Sequence, residues 1–592
     1  MSVSPSQKYA LSQQVALIKT APRVSPSAAL ADFPPIIAAI LARRGVSHPR
    51  QIDPDLKKLP PPEGWPGLED AALVLAEAIF SQQRIVIVGD FDADGATASA
   101  LSKLALDAMG AAEVVVVIPD RQKHGYGLSP QLLADHPVGP GDVILTVDNG
   151  IAAFSGVAAA HDSGAKVVIT DHHLPAETWP DAAAVANPNL PDVRFAGHNL
   201  AGVGVAFYVL ARLRTILVQR GWFNSKAPAP NLARYLDLVA LGTIADVVKL
   251  DELNRRLVAQ GLACIRQGRG QVGVLALFAV AGRDYRKARA ADLGFIVGPR
   301  LNAAGRLAHM DQGVNCLMAS TPEKARQLAI ELDRTNRQRQ DIEQGMLNQA
   351  LEQVRLLAGQ PRPEQPQDWV RFDPQFHPGV VGLLAGRLKS RWLRPVFVFA
   401  PECPGDTGTM LKGSGRSIDG LHLRDLLVWI DQRAPGMIAG FGGHAMAAGL
   451  TLPHAQLERF RALFAEAVDQ VDIHWPQRDV VQVEGALDPA ELSLEFYDAL
   501  EAIGPFGTGF EQPVFANHFQ VLEKKPIKGG KHYRLTVAHP ENPGGRLTAI
   551  WFNAPQILPP GNRWVIAYRL DCNIFRGRAQ LQLVVSTALP AE

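Results

Sequence analysis

Closely spaced carboxylates near residue 90 are the first feature of this chain that could do chemistry. Residues 85–88 form an apolar run typical of a buried strand, and Asp90, Asp92 and Asp94 follow it at alternate positions. These carboxylates repel one another, and a folded chain tolerates them mainly where a cation neutralises their charge. An acidic turn exposed to water explains the segment equally well, so these residues alone leave both interpretations open.

Similar polar residues follow later apolar segments. They are Asp148, Asp171, His172, His173 and Asp246. Ligands of open parallel sheets collect outside the carboxyl ends of the strands, so we expect these side chains to share one crevice with the first three carboxylates. Each residue alone has another explanation, because an Asp after a strand often caps the next helix and a single His is more often a core residue. Their recurrence at successive strand ends favours a metal site.

The types of these side chains indicate which metal they would bind. Carboxylates with one or two imidazoles and no thiolate suit Mn²⁺ or Mg²⁺ better than structural zinc. So many ligands can hold two ions bridged by one carboxylate, an arrangement that activates water and clamps both oxygens in phosphoryl transfer. The predicted chemistry is hydrolysis of a phosphoester or a phosphoanhydride.

Alternating strands and helices position these residues. We expect strands at 85–89, 114–118, 143–147, 166–170 and 182–187, with helices such as 96–109 and 151–163 between them. β-Branched runs separated by helices predict an α/β domain with a parallel sheet covered on both faces. Two further helices should follow, at 231–245 and 252–280.

The second half of the chain reads as a connector and two smaller domains. A helix should start at Ser320–Glu323 and continue to about 355, because the segment has a capping residue, an early Pro and no internal breaker before Gly345. Residues 369–470 mix strands and helices, and five short strands after 480 predict an OB-fold barrel. The expected domains are 1–80 as a lead-in, 81–320 as the catalytic domain, 321–360 as the connecting helix and linker, 361–472 as a smaller α/β domain, and 473–592 as the barrel.

Composition excludes several classes of protein. The chain has 592 residues, of which 47% are hydrophobic and 20% charged, and its four cysteines are widely spaced. It contains no uninterrupted apolar run long enough to cross a membrane and no signal-peptide pattern at its start. We therefore expect a cytoplasmic protein without disulfides. The net charge of +1 means that any nucleic-acid surface must come from local basic clusters, and two occur, at 281–310 and 524–534.

Taken together, these motifs resemble the DHH phosphoesterase superfamily and, within it, the RecJ-type single-strand-specific 5′ exonucleases. The matching motifs are GDFDADG (89–95), HGYGLS (124–129), VDNG (147–150), DHH (171–173), LAGVGVAF (200–207), GTIADVV (242–248), GPRLNAAGR (298–306), HPGVVGLLAGRL (377–388), GSGRS (413–417) and GGHAMAAG (442–449). The resemblance covers nearly the whole chain and names the 361–472 segment as DHHA1-like. A small departure is Phe91, where the family usually has Tyr.

The resemblance implies roles for the acidic residues. One ion would be held by Asp92 and Asp148 with help from Asp90, and the other by Asp94, Asp148, His172 and Asp246. His173 would position the scissile phosphate, and Asp171 would orient the imidazoles. The implied catalytic residues are Asp92, Asp94, Asp148, His172, His173 and Asp246.

The resemblance also implies contacts with a polymer substrate. Expected substrate-binding residues are Arg121, His124, Arg300 and Asn302 in the first domain and Ser414, Arg416, Ser417, Gly442, Gly443 and His444 in the second. From sequence alone a surface arginine in a solvated loop explains Arg300 equally well. We expect the second domain to hold the 5′ end while the first cuts, and the direction of digestion comes from the resemblance.

In the barrel, the lysine cluster is the firmer sign of nucleic-acid binding. Its expected contacts are Lys524, Lys528, Lys531, Tyr533 and Arg534. A basic groove with aromatic platforms binds single strands by stacking and phosphate contacts. Trp551 and Phe552 could equally belong to the core of the barrel.

The sequence therefore predicts a metal-dependent exonuclease that hydrolyses single-stranded DNA from its 5′ end, in recombination and repair. The resemblance implies a helicase and a single-strand-binding protein as partners, and we expect a monomer. Two alternatives stay open at this point. One is a DHH-family phosphodiesterase acting on short oligonucleotides or cyclic dinucleotides, and the other is a nucleic-acid-binding scaffold that has lost catalysis.

Overall fold

The computed structural model describes residues 17–121, 123–358, 365–402, 409–472, 475, 479–555, 557–575 and 578–591, without the side chains of 354–358 and 574–575. Packing divides the chain into two compact units. The first, which we call the catalytic unit, contains Arg23–Asn336 and Asp498–Gln512. The second contains Arg337–Tyr497 and Pro513–Glu592, together with the strand Leu17–Thr20.

A five-stranded parallel sheet forms the centre of the catalytic unit. Its strands lie in the order Glu113–Val117, Arg84–Val88, Val143–Val147, Lys166–Thr170 and Ala184–Ala186. The predicted parallel sheet is confirmed. The strand order reverses between Arg84–Val88 and Val143–Val147, and this switch point is where ligands of open α/β sheets bind.

Helices cover both faces of this sheet. The longer ones are Pro35–Arg43, Pro66–Phe80, Ala93–Met109, Pro130–Asp135, Phe154–Asp162, Gly202–Gln219, Leu236–Ala245, Glu252–Arg266, Val272–Val280, Gly298–Leu307 and Asp311–Leu317. Gly202–Gln219 is long and apolar enough to cross a membrane by composition alone, but 67% of it is buried inside the protein. It is a core helix of the catalytic unit.

Part of the expected lead-in packs as an integral layer of the catalytic unit. Pro66–Phe80 lies against the edge strand Ala184–Ala186, where a Cβ atom on Gly67 would lie 1.9 Å from the carbonyl oxygen of Val185. Trp65 stacks on Phe195 with 5.1 Å between ring centres. Glycine permits this close approach of helix and strand, so the segment before residue 80 supports the sheet.

The expected single helix at 252–280 is wrong. The chain forms two helices, Glu252–Arg266 and Val272–Val280. Gly268 adopts a left-handed φ of +67° just after the first helix, and the carboxylate of Asp237 accepts a hydrogen bond of 2.5 Å from the amide of Gln271 before the second. A glycine stop and a side-chain acceptor for a free amide end one helix and start the next.

The expected connector is confirmed as one helix of 37 residues, Pro322–Ala358. The Thr321 hydroxyl accepts a hydrogen bond from the amide of Lys324 at its start. Residues up to Asn336 belong to the catalytic unit and those from Arg337 to the second unit.

The second unit contains a mixed sheet and a barrel. The sheet order is Gly440–Gly443, Ala447–Pro453, Met410–Arg416, Val396–Pro401 and Val370–Phe372, with the helices Val381–Trp392, Leu423–Arg433 and Leu457–Asp469. The predicted barrel is confirmed as a closed one, formed by Phe515–Ile527, His532–His539, Asn542–Trp551, Arg578–Pro590 and Arg563–Phe575. Leu17–Thr20 pairs in parallel with Val480–Val483, and Leu494–Ala502 is a helix that precedes the barrel.

Candidate metal centre

The turn after strand Arg84–Val88 is built around the start of helix Ala93–Met109. Oδ1 of Asp92 accepts hydrogen bonds from the amides of Asp94 (2.8 Å) and Gly95 (3.0 Å), so Asp92 is the N-cap of this helix. The capping explanation is therefore right for one oxygen of Asp92. Asn302, predicted to bind substrate, supports the same turn, because its Oδ1 accepts from the amide of Ala93 at 2.7 Å.

Asp94 is buried and held by a second helix. Its two oxygens accept from the amides of Gly202 (2.6 Å) and Val203 (3.0 Å) at the start of Gly202–Gln219. Burial, with the nearby charge of Asp92, raises the pKa of Asp94 to about 7. The amides fix the carboxylate in position while its surroundings disfavour its charge.

Asp90 and Asp148 are buried carboxylates at the switch point of the sheet. They are 4% and 2% exposed, and among the described residues no donor makes a hydrogen bond to Oδ1 of either one. Burial, followed by the neighbouring Asp side chains, raises the pKa of both groups well above the usual range. Buried carboxylate oxygens without donors are costly in an otherwise well-packed site, and a bound cation removes that cost.

His172 and Asp246 lie beside Asp148. Nε2 of His172 is 3.2 Å from Oδ1 of Asp148 and 3.5 Å from Oδ2 of Asp246. Asp246 immediately follows helix Leu236–Ala245, and burial together with Asp94 raises its pKa. The final turn of one helix thus delivers a carboxylate to the strand-end cluster.

Asp171 organises the two histidines that follow it. It accepts from the amides of Ile151 (2.9 Å), His172 (2.7 Å) and His173 (3.1 Å), and its Oδ1 lies 2.7 Å from Nδ1 of His173. Burial acts to raise the pKa of Asp171, but these hydrogen bonds outweigh it and lower the pKa. Burial likewise acts to lower the pKa of His173, but Asp171 raises it to about 9. In the metal-free protein, Asp171 therefore favours the protonated form of His173.

These side chains form three overlapping groups whose ligand atoms lie within 4.8 Å of one another. The groups are Asp90, Asp92 and Asp148; Asp94, His172 and Asp246; and Asp148, His172 and His173. The first group contains the residues predicted for one ion, and the second contains three of the four predicted for the other, without Asp148. Asp148 and His172 each belong to two groups. Oxygen-rich donors with one or two imidazoles fit Mn²⁺ or Mg²⁺. The assignment of each ligand to one ion stays a prediction.

Glycines that were assigned no individual role allow the carboxylates to lie this close to helices. A Cβ atom on Gly202 would lie 2.5 Å from Cβ of Asp148, and one on Gly242 would lie 2.6 Å from Oδ1 of Asp94. Any other residue would push these carboxylates away. The sequence signal for these close contacts was a glycine at the start of the apolar helix Gly202–Gln219 and another inside Leu236–Ala245.

Two further residues support Asp148 and were not predicted. The Tyr126 hydroxyl donates to the Asp148 carbonyl at 3.0 Å. Nδ2 of Asn149 donates to the carbonyls of Val88 (3.0 Å) and Val147 (2.9 Å), which ties the ends of the two central strands together. The motifs HGYGLS and VDNG contained both residues.

Two predicted phosphate contacts have protein partners in the structure. Arg300 donates to the Asp333 carboxylate from Nε at 3.0 Å and to the Ile296 carbonyl at 2.5 Å. In His124, Nδ1 accepts from the amide of Asp120 at 2.9 Å and Nε2 lies 2.7 Å from Asp135. Both nitrogens of His124 are thus used within its loop, so its geometry favours a structural role. A substrate phosphate would reach Arg300 only by sharing its guanidinium with Asp333 or by displacing Asp333 from it.

Arg121 retains a geometry suited to phosphate. Its guanidinium lies over the Phe91 ring at 4.1 Å, in the turn that carries the first carboxylates. The Phe91 ring in turn meets Tyr126 edge to face at 5.9 Å. This stacking holds a positive charge beside the acidic cluster.

Strand pairing brings the glycine-rich motifs of the second unit together. Ser414 pairs with Gly449, which pairs with Gly442 on the next strand. Nη1 of Arg416 donates to Oγ of Ser414 (3.0 Å), and a Cβ atom on Gly382 would lie 3.0 Å from Nη2 of the same arginine. An Arg and a Ser thus lie beside the first turn of helix Val381–Trp392, an arrangement that favours anions.

The remaining residues predicted in that unit differ in their surroundings. Ser417 is buried and its hydroxyl donates to the Leu421 carbonyl at 2.7 Å, so the fold already uses it. Gly443 has φ of +140°, and the amide of His444 donates to the Ala447 carbonyl at 2.8 Å. Gly442 and His444 are exposed.

The barrel presents most of its predicted cations to solvent. Lys528, Lys531 and Arg534 are exposed, and Tyr533, on the same strand as Arg534, is half-buried. Lys524 donates to the Gly561 carbonyl at 2.8 Å and lies over the Trp564 ring. The sequence did not decide whether Trp551 and Phe552 belong to the core of the barrel. In the structure Trp551 is buried and Phe552 is exposed.

Comparisons with known families match three segments. Residues 84–243 match the DHH family N-terminal domain, 369–470 match the DHHA1 domain, and 483–587 match the RecJ OB domain. The first segment holds the acidic cluster except Asp246, the second holds the glycine-rich strands, and the third holds all but the last residues of the barrel.

Individual proteins match over nearly the whole chain. The single-stranded-DNA-specific exonuclease RecJ of Escherichia coli (strain K12) is 45% identical over 565 residues, which is 95% of this chain and 96% of that protein. The structure of RecJ from Thermus thermophilus in complex with Mn²⁺ is similar with a TM-score of 0.77 and 28% identity, over 98% of this chain and 80% of the other. The Mg²⁺ complex of the same protein gives a TM-score of 0.72 at 27% identity, over the same shares of the two chains.

Proposed function

This chain belongs to the RecJ family and is a metal-dependent exonuclease of single-stranded DNA, and we propose that the acidic cluster at the sheet's switch point is where it hydrolyses the strand, beginning at the 5′ end. The observation that carries the assignment of the site is that, among the described residues, no hydrogen bond reaches the buried Oδ1 atoms of Asp90 and Asp148, with Nε2 of His172 3.2 Å from the second of them. The alternative of a phosphodiesterase for short or cyclic substrates is not favoured, because the likeness to RecJ proteins extends through the barrel.

The carboxylates and His172 would hold one or two Mn²⁺ or Mg²⁺ ions. A divalent cation bound here supplies an activated water and neutralises charge on the phosphate. The protein's contribution is to keep the ligands in place, with Asp94 held by two helix amides and Asp148 by glycine contacts and Tyr126. Preorganised ligands need little rearrangement when charge develops.

His173 is positioned to act on the phosphate directly. Nδ1 lies 2.7 Å from Asp171, so the other ring nitrogen is the one available to a substrate oxygen. The hydrogen bond with Asp171 raises the pKa of His173, which supports donation from this ring to a negatively charged oxygen. Asp171 fixes the ring's orientation and its charge.

Cations along the chain would bind the rest of the strand. Arg121 beside the cluster, and Arg416 with Ser414 in the second unit, have side chains suited to phosphate oxygens. The exposed Lys528, Lys531 and Arg534 would bind the strand's backbone further along. None of these contacts selects a base, so digestion should be tolerant of sequence.

Partners and location are also part of this proposal. A single-strand exonuclease needs an unwound substrate, which a helicase exposes and a single-strand-binding protein covers. We propose that both supply DNA to this enzyme, that it works as a monomer, and that it acts in the cytoplasm in recombination and repair. The support for these statements is the family resemblance.

End-labelled substrates test the direction of digestion. Single-stranded DNA carrying a 5′ or a 3′ label is incubated with Mn²⁺, Mg²⁺ or EDTA. We expect immediate release of the 5′ label as a short product, gradual shortening of the 3′-labelled strand, and no digestion in EDTA. First release of the 3′ label would contradict the polarity, and a preference for very short oligonucleotides would favour the phosphodiesterase alternative.

A further inference from the structure

Phe295 is the most exposed of the large apolar side chains that the structure describes, at 82%. It lies in the middle of Leu293–Val297, whose end residues are both fully buried. The fold therefore anchors this segment on both sides of Phe295 and leaves its ring in solvent. An exposed aromatic ring contributes little to the stability of the fold, and its face is open to a ligand.

The segment around Phe295 is a π-helical turn. The amide of Gly298 donates to the carbonyl of Leu293, five residues earlier, and the α-helix Gly298–Leu307 follows directly. A π turn inserts one extra residue into a helix, and such turns occur frequently at functional sites. Here the widened turn carries Phe295.

This turn packs against the helix end that delivers Asp246. A Cβ atom on Gly294 would lie 3.2 Å from Cγ2 of Ile244, and one on Gly298 would lie 3.3 Å from Cβ of Ala245. Ile244 and Ala245 immediately precede Asp246. Phe295 therefore sits on the element in contact with the rim of the acidic cluster.

A second exposed apolar side chain follows Asp246. Val247 is 63% exposed and has a φ of +64°. A β-branched residue rarely adopts this left-handed conformation, and such strain persists where the surrounding structure imposes it. The chain thus turns sharply after the candidate ligand and leaves an apolar side chain at the same rim.

The segment of sequence that contains Phe295 is basic. Residues 281–310 contain six basic side chains and two acidic ones. Arg283, Arg286 and Lys287, just before the π turn, are exposed. An exposed aromatic ring in a basic segment suits single-stranded nucleic acid, whose bases stack on aromatic rings and whose phosphates bind cations.

We infer that Phe295 is a stacking platform for one nucleobase of the DNA strand, with Val247 as an apolar support at the same rim. The inference rests on the proposed function of the acidic cluster. Stacking a base on a ring that is fixed relative to Asp246 would set how far the neighbouring phosphate reaches into the cluster. Every base has a π face, so such a platform positions the strand without selecting its sequence.

Abasic substrates combined with variants test this inference. The Mn²⁺-loaded full-length enzyme is compared as wild type, Phe295→Ala, Phe295→Trp and the control Val218→Ala, which removes an exposed apolar side chain at the far end of Gly202–Gln219. Single-stranded oligonucleotides of one sequence carry one abasic residue, moved stepwise from the 5′ end. We expect Phe295→Ala to raise KM at least about fivefold on the intact strand, with Phe295→Trp and Val218→Ala close to wild type.

The decisive measurement combines the abasic residue in the DNA with the Phe295→Ala variant of the enzyme. At one position the abasic residue should raise KM for wild type by the same factor as Phe295→Ala does, and should have no further effect on Phe295→Ala. Equal sensitivity of both enzymes to an abasic residue at every position would overturn the platform. If wild type fails to digest the intact strand, the proposed function itself fails, whereas normal digestion without this non-additivity defeats only the present inference.

Discussion

Asp148 is the residue on which the candidate metal centre depends most. It belongs to two of the three ligand groups, its backbone adopts φ of +62°, and its amide donates to the Thr170 carbonyl at 3.0 Å. Its carbonyl accepts from Tyr126, and Gly202 lies against its side chain. Both main-chain and side-chain contacts therefore fix where one carboxylate points.

Gly202→Ala should damage this arrangement without removing any ligand. The added Cβ would lie 2.5 Å from Cβ of Asp148, so the carboxylate or the helix start must move. We expect a loss of about 100-fold in kcat for single-stranded DNA, as displacement of a catalytic group by about 1 Å can cause. The matched control is Gly386→Ala, a helical glycine with nothing within 4 Å of the added atom, and it should keep full activity. Equal activity of both variants would show that Asp148 tolerates displacement.

The carboxylates should also link metal binding to pH. Asp90, Asp94 and Asp148 have raised pKa values in the fold, about 7 for Asp94, so the folded metal-free protein binds more protons than the unfolded chain. Their unfavourable effect on stability is absent below about pH 4 and grows as the pH rises toward 7. Metal ions need the deprotonated groups, so Mn²⁺ should raise the melting temperature more at pH 8 than at pH 5.5.

Asp148→Asn provides the control for this pH dependence. In EDTA the variant should gain stability relative to wild type as the pH rises from 5.5 to 8, because it removes one carboxylate that resists ionisation. Thermal melting of both proteins across this range measures the difference. A difference that does not change with pH would contradict the raised pKa of Asp148.

At the scale of secondary-structure elements, the starts of two helices determine where the carboxylates of the acidic cluster lie. Gly202–Gln219 donates its first amides to Asp94, and Ala93–Met109 begins on the Asp92 cap. Pro66–Phe80 supports the far edge of the sheet through the close approach at Gly67. The acidic cluster thus depends on the packing of helices from distant parts of the sequence.

Two glycine substitutions separate helix packing from helix propensity. Gly67→Ala should destabilise the protein by about 1–3 kcal/mol, because its Cβ would lie 1.9 Å from the Val185 carbonyl oxygen. Gly345→Ala, in the open middle of Pro322–Ala358, should stabilise it by about 0.5–1 kcal/mol through helix propensity alone. Urea unfolding followed by circular dichroism measures both, and stabilisation by Gly67→Ala would contradict the close packing on the sheet edge.

The strands and the cluster could be predicted because their signals are local. Apolar runs followed by acids mark strand ends, and parallel strands bring those ends together. The helix amides that hold Asp94 lie more than a hundred residues away along the chain, so no local pattern predicts them. The hydrogen bond between Arg300 and Asp333 also joins residues that are distant in the sequence. Arg300 was expected to contact phosphate, but in the fold its guanidinium already has a carboxylate partner. Distant partners determine what a side chain is free to do, and one sequence does not show them.

At the scale of the whole molecule, the two compact units carry different kinds of charge. The catalytic unit concentrates buried carboxylates at the end of its sheet, whereas the barrel of the second unit exposes Lys528, Lys531 and Arg534. The first set suits cations and the second suits a phosphate backbone. Binding of the strand and its hydrolysis should therefore respond differently to salt.

Removing barrel lysines should change the salt dependence of DNA binding. Each phosphate contact on a single strand contributes about 0.7 to the slope of log Kd against log salt concentration. Lys528→Gln with Lys531→Gln should therefore lower that slope by up to about 1.4, as measured by fluorescence anisotropy in several salt concentrations. Lys226→Gln, an exposed lysine of the catalytic unit, is the control and should leave the slope unchanged. An unchanged slope in the double variant would remove these lysines from the binding surface.

Mn²⁺ binding by Asp148→Asn tests the central claim most directly. Isothermal titration calorimetry of the full-length protein, freed of metal beforehand, counts the sites, and Asp162→Asn on the exposed end of Phe154–Asp162 serves as the control. We predict that wild type and Asp162→Asn bind Mn²⁺ and digest single-stranded DNA, whereas Asp148→Asn loses Mn²⁺ binding and digestion together. Unchanged Mn²⁺ stoichiometry and affinity in Asp148→Asn, with digestion retained, would contradict the assignment of the metal centre to this cluster.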